Sequence, residues 1–255
     1  MSRILWPVVR SEWTKFRTRP GTALLMLGTV LLTTALGAAA VAALAGTSLI
    51  RDPVRLSLSG LDLGQALVVV LAVRSAAGEW ETGMALTTYG ATPRRLIVLV
   101  SKAIVIGAAV GISALPAVAG SVLAGHLMLT WTAAPPAAIA AAPVIVRAIL
   151  GTVLYMVLVA LLGLGVGTVV RDRTMALGVS LGLLYLFPVG AQMVADPRWQ
   201  TLLKQLGPMP AGMAIEATTH LAVLPIAPWA GIAVLGGWSV GALMAGWVVA
   251  ERRDV

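Results

Sequence analysis

Six stretches of this chain, near residues 21–45, 60–78, 94–124, 144–170, 174–195 and 229–250, consist largely of Leu, Val, Ile, Ala and Gly and carry no charge in their middles. A helix needs roughly 20 apolar residues to cross a bilayer, whereas a barrel strand needs about 10 that alternate. Tracts of this length predict an all-α integral membrane protein, with residues 1–255 forming a single transmembrane domain of six transmembrane helices. Composition agrees, since 59% of residues are hydrophobic and 11% charged and the mean hydropathy is +0.95, outside the range of soluble domains.

The same composition narrows the chemistry. There is no cysteine and there are two histidines, which removes disulfides and thiolate metal sites and leaves too few imidazoles for a metal cluster. No metal ligand set is expected. The net charge of +8 fits loops that meet anionic lipid, and no basic stripe with interleaved aromatics points to nucleic acid. Arginine dominates lysine and asparagine is absent, a bias that resembles a GC-rich bacterial genome.

Six spans put both termini on one side. Arg51, Arg55, Arg147, Arg198 and Lys204 fall on the other, leaving 13 of the 18 Lys and Arg residues with the termini. The positive-inside rule then predicts cytoplasmic termini in a bacterial cytoplasmic membrane. The first tract, about 25 residues long after a charged segment of about 20 residues, reads as a retained span rather than a cleaved leader. Thr92-Pro93 marks the start of the third span, and Arg171-Asp172-Arg173 forces spans four and five into an antiparallel pair. From Asp196 to Pro228, Trp199, Leu202, Leu203 and Leu206 precede Gly207-Pro208-Met209-Pro210. That pattern predicts short helices in an external re-entrant segment before the last span.

Two polar segments lie on the side of the termini. Residues 3–17, projected at ~100° per residue, put Ile4, Leu5, Trp6, Val8, Val9, Trp13 and Phe16 on one arc and the basic residues on the other, an amphipathic interfacial helix within residues 1–20. Glu12 falls in the middle of the apolar arc, where a carboxylate needs a partner, either another protein or a basic residue such as Arg94 or Arg95. Residues 78–95 hold Glu79, Trp80, Glu81, Met84 and Tyr89. They read as a short helix outside the bilayer, with exposed carboxylates and apolar anchors suited to a protein partner.

Other motifs carry less. Gly178-Val179-Ser180-Leu181-Gly182 matches a nucleophile pattern but sits inside a span with no base nearby, so no catalytic residue is assigned. Gly178/Gly182, Gly107/Gly111, Gly163/Gly167 and Gly237/Gly241 form G-x-x-x-G pairs and are expected to pack helices. No phosphate-binding G-x-x-x-x-G-K-[ST] loop occurs, so any ATP and magnesium belong to another subunit and this chain holds no cofactor. Arg74, Lys102 and Arg147 are expected to snorkel to headgroups, and Asp62 to sit in a first helical turn. Without a carboxylate or histidine at mid-span, a secondary transporter is the weaker reading.

The order of Ser11-Glu12-Trp13-Thr14-Lys15-Phe16-Arg17, Gly78-Glu79-Trp80-Glu81-Thr82-Gly83-Met84, Pro93-Arg94-Arg95, Arg171-Asp172-Arg173 and Pro228-Trp229-Ala230-Gly231 resembles that of a type-2 ABC transporter permease, and the resemblance covers the whole chain. It implies the membrane subunit of an ATP-driven exporter of an amphipathic small molecule, peptide or lipid. Two such chains, identical or related, would stand on two copies of a P-loop ATPase. The resemblance makes residues 1–20 a connecting helix and 79–90 a cytoplasmic coupling helix. Glu12, Trp13, Glu79, Trp80, Glu81, Met84, Tyr89, Arg94 and Arg95 then form the ATPase interface, and Gln65, Ser180 and Gln192 are candidates for the translocation path. The alternative is a non-transporting scaffold that holds a cytoplasmic partner.

Overall fold

The computed structural model describes residues 2–45, 47, 50, 52–81, 83–84, 95–131 and 141–252, and every regular element among them is helical. Helix α1, Ser2–Thr18, leads into α2, Thr22–Leu44; the short α3, Pro53–Ser57, precedes α4, Leu61–Ala76, which runs through Ala77 into α5, Gly78–Glu81. Then come α6, Arg95–Trp131, α7, Ala142–Val170, and α8, Arg173–Met193. Two short helices, α9 at Pro197–Leu206 and α10 at Pro208–Gly212, and two 3₁₀ turns precede the last long helix, α11, Pro228–Arg252. Six of these are long and apolar enough to cross a membrane: α2, α4 with α5, α6, α7, α8 and α11.

Local chemistry sets several of the ends. Asp52 caps α3 by accepting from the Arg55 amide at 3.0 Å with Pro53 in the first turn, and Asp172 caps α8 by accepting from Met175 at 2.7 Å. Asp196 and Pro197 open α9 in the same way. Asp62 lies in the first turn of α4 as expected. Thr92-Pro93 lies outside the described residues.

Helix α7 is the centre of the bundle, packed against α4, α6, α8 and α11. Small residues bring the backbones together: Gly163 and Gly167 sit over Val69, Ala72, Val73 and Ala76 of α4, and Gly165 lies against Ala242 of α11. Gly107 and Gly111 receive Val157 of α7. The other two G-x-x-x-G pairs do not pack within the described chain. A methyl group added at Gly178, Gly237 or Gly241 would meet no heavy atom of a neighbouring element within 4 Å, and one at Gly182 would meet only Leu186 of its own helix. Their faces point outward, where Leu24, Leu27 and Leu31 of α2, Leu186 of α8 and Val240 of α11 are also exposed. Apolar surface on this scale is stable against lipid and not against water.

One boundary differs from the sequence reading by more than its usual error. The third span, expected to stop near residue 124, continues to Trp131. Ser57 of α3 seats against Gly125, so the helix gains a neighbour where its apolar pattern thins, and the Pro135-Pro136 breaker comes only later. At 1.5 Å per residue its 37 residues reach about 55 Å, well beyond a hydrocarbon core of about 30 Å.

Candidate functional site

The end of the bundle that carries α1 and α5 is held by a buried cluster of ions. Lys102 of α6 places Nζ 2.7 Å from Glu12 Oε2 and 2.7 Å from Glu79 Oε1, which joins α1, α5 and α6 through one ammonium. Lys15 adds a 2.5 Å contact to Glu12, and Arg19 Nη2 donates to Glu79 Oε1 at 2.9 Å. Arg19 Nη1 also reaches the Arg74 and Ser75 carbonyls at the end of α4, and Arg74 returns a bond to the Pro20 carbonyl. Glu12, Glu79 and Lys102 are 3%, 2% and 5% exposed. Two carboxylates thus face three cations in a site that water barely enters. Burial by itself raises the Glu12 carboxyl, but the charge of Lys102 and hydrogen bonds from Lys102 and Lys15 outweigh it and hold the group below its ordinary value.

Three expectations are corrected here. Glu12 meets Lys102 and Lys15, two basic residues that the sequence did not single out for it, because the apolar arc of α1, with buried Phe16, faces α6 and not lipid alone. Glu79 is not an exposed carboxylate, because α5 continues the axis of α4 and turns it under Lys102. Lys102 does not snorkel to headgroups; it lies two turns inside α6, where two carboxylates satisfy it.

The remaining candidates at this end are spread around the cluster. Trp13 stacks on Phe16 with ring centroids 6.1 Å apart and stays 42% exposed, and Met84 is 41% exposed. Trp80 lies beneath the Arg171 guanidinium, 3.9 Å from its ring centroid, which ties the α7–α8 turn to α5. Arg95 donates to the Ala250 carbonyl of α11. Tyr89, Arg94 and the side chain of Glu81 lie outside the described residues.

The opposite end is tied by a different carboxylate. Asp52 accepts from the Thr218 amide at 2.6 Å, the Thr218 hydroxyl at 2.7 Å and the Thr219 amide at 3.0 Å, fixing the α2–α4 connection to the segment before α11. Burial raises its carboxyl, and these bonds together lower it below the usual value. Asp52→Ala is therefore expected to lower stability by about 1–2 kcal/mol. Because the folded group titrates below the unfolded one, its contribution is present above the ordinary carboxylate range and lost as pH falls through the lowered value. Melting curves of the two proteins should converge in acid.

The three path candidates lie in different settings. Gln65 is fully buried, accepting from Tyr155 and donating to the Met209 sulfur at 3.2 Å. Ser180 is buried in α8, while Gln192 is exposed and lines a cavity of about 510 Å³ under α9 and α10. Sequence reasoning passes over Glu216, which lines the same cavity and is 2% exposed. A signal for it exists: a lone carboxylate in Ala211-Gly212-Met213-Ala214-Ile215-Glu216-Ala217, in a connection too apolar for a solvated loop. Burial pushes this carboxyl well above the usual range, with Asp62 adding to the shift, Arg55 opposing it and Asp52 adding further.

No known family model and no curated protein matches the chain. Assignment therefore rests on the two ends of the bundle.

Proposed function

We propose that this chain is the membrane-spanning, non-catalytic subunit of an ATP-driven exporter of the type-2 ABC permease kind. The observation that carries the reading is the cluster of Glu12, Lys102 and Glu79, which makes α1 and the α4–α5 corner one rigid body with α4 and α6. A pull on that corner by an ATPase is transmitted directly to two spans, which force coupling requires. In this reading both termini are cytoplasmic in a bacterial inner membrane, and α1 is the connecting helix. Residues 79–90 dock on a P-loop ATPase, and residues 197–223 form the external re-entrant cap. A second permease chain covers the outward-facing Gly237/Gly241 stripe of α11, and the cargo is an amphipathic small molecule, peptide or lipid.

The burial of Glu79 decides how this is tested. Reversing its charge would break the bundle itself, so the informative variants are at exposed Trp13 and Met84. Coexpression with the neighbouring genes and purification in nanodiscs should recover a P-loop ATPase. Met84→Asp with Trp13→Asp should reduce its recovery at least tenfold with an unchanged melting temperature. Recovery of the chain alone or with a partner that lacks a P-loop would overturn the proposal.

A further inference from the structure

Glu216 is held in place from both sides, yet one of its carboxyl oxygens is left without a hydrogen bond among the described residues. Ile215 before it fills the notch at Gly151 of α7, where a methyl group on the glycine would lie 2.1 Å from Ile215 Cγ1. After it, the Ala217 carbonyl accepts from Arg147, and Thr218 is bound to Asp52. The segment cannot turn the side chain out to solvent without breaking these contacts. Among the described residues Glu216 Oε1 nevertheless has no hydrogen-bond donor. A rigidly placed, buried and unsatisfied carboxylate is costly, and in a native fold it calls for a partner that comes and goes.

The cavity it lines has the size and walls of a small-molecule site. Its volume of about 510 Å³ lies within the range of drug-sized pockets, roughly 300–1,000 Å³. Met209 and Met213 offer polarizable thioether walls, and Pro188 and Pro210 add rigid apolar surface. Charge is sorted by depth. Asp62 and Glu216 are the more buried groups, whereas the two cations that also line the cavity, Arg55 and Lys204, are exposed. Burial holds Glu216 toward its neutral form and a bound positive charge lets it ionise, so these two carboxyl groups among apolar walls select a cation over an anion. No group of three or more His, Cys, Asp or Glu residues able to hold a metal occurs among the described residues. The fit is thus to an organic cation, whose spread charge needs one or two carboxylates and apolar contact rather than a full coordination shell.

We propose that the cavity beneath α9 and α10 binds amphipathic organic cations, such as hydrophobic quaternary onium groups or amines, with Glu216 as the counter-charge and Asp62 as its support. The site needs no ATPase, so it stands or falls independently of the exporter reading.

Tetraphenylphosphonium and tetraphenylborate have nearly the same shape and opposite charge, which makes them suitable probes. Binding of labelled tetraphenylphosphonium to the full chain in nanodiscs, corrected for empty nanodiscs, should be saturable, whereas labelled tetraphenylborate, measured in a separate sample, should show no saturable binding. Glu216→Gln should weaken it at least tenfold and Asp62→Asn several-fold, while Glu251→Gln, at the other end of the bundle, leaves it unchanged. Because Oε1 has no hydrogen-bond donor to lose among the described residues, Glu216→Gln should melt at or above the wild-type temperature. Binding that is not saturable, that survives Glu216→Gln, or that is matched by the borate overturns the proposal. So does a clear loss of thermal stability in Glu216→Gln, which would assign the carboxylate to an internal contact.

Discussion

Lys102→Met is expected to destabilise the protein by about 3–5 kcal/mol, the range for removing one partner from a buried ion pair. The residue is 5% exposed and contacts both Glu12 and Glu79 at 2.7 Å. Methionine keeps the volume and the apolar stem, so the loss reports the charge. What remains is a Glu12 oxygen with no ion pair among the described residues and a Glu79 oxygen that leans on Arg19 and the longer 3.4 Å contact of Lys15. The penalty is mostly that of stranded carboxylates rather than of a lost attraction. Adding Glu12→Gln should therefore recover part of it, a coupling of about 1–3 kcal/mol in a double-mutant cycle. Detachment of α1 is the structural counterpart. Trypsin cleavage at Arg10 and Lys15 should quicken in Lys102→Met and slow again in the double variant. Acid should act in the same direction: with its folded titration held below the unfolded one, Glu12 stabilises above the ordinary carboxylate range and stops doing so as pH falls through the lowered value.

The membrane fold is legible in the sequence because it rests on a one-dimensional quantity. Apolar length sets the spans, and five of the six agree closely in their boundaries, Thr22–Leu44 for 21–45 and Ala142–Val170 for 144–170 among them. Caps at Asp172 and Asp196 are equally local and equally readable. The ion cluster is only half legible. Glu12 stands out as a carboxylate on an apolar arc, but its partner is 90 residues away, and nearness to the polar 78–95 segment is a poorer guide to it than depth in α6. Glu79 misleads because polar residues between spans suggest solvent, whereas here the α4 helix simply continues and carries the side chain under Lys102. Gln65 is bonded to Tyr155 and Met209, and nothing in its local sequence distinguishes such a satisfied buried amide from one that faces open space. Glu216 escapes notice because a search for mid-span charges ignores carboxylates that a connecting segment brings into a buried position.

That connecting segment is held on the bundle by a contact that only glycine permits, which makes Gly231→Val the second large effect. A β-carbon at Gly231 would lie 1.9 Å from the Ala211 carbonyl oxygen and 2.8 Å from its carbon, both backbone atoms that no rotamer change can move. Either α10 lifts or α11 shifts, and the cost is expected near about 3 kcal/mol, the upper end for overpacking. The displacement also spreads beyond the clash. Ala211 leads directly into Met213–Glu216, where Ile215 occupies the Gly151 notch and Glu216 lines the cavity. A lifted α10 therefore opens that cavity as well as lowering the melting temperature, and tetraphenylphosphonium binding should fall along with stability. Gly236→Ala, further along α11 and outside the Gly237/Gly241 stripe, where the added methyl group meets nothing within 4 Å, is the matched control. There the helix gains about 0.5–1 kcal/mol from the better helix former. Opposite signs at two glycines of one helix would locate the close approach at Gly231; a neutral Gly231→Val would mean that the segment does not rest on α11 at all.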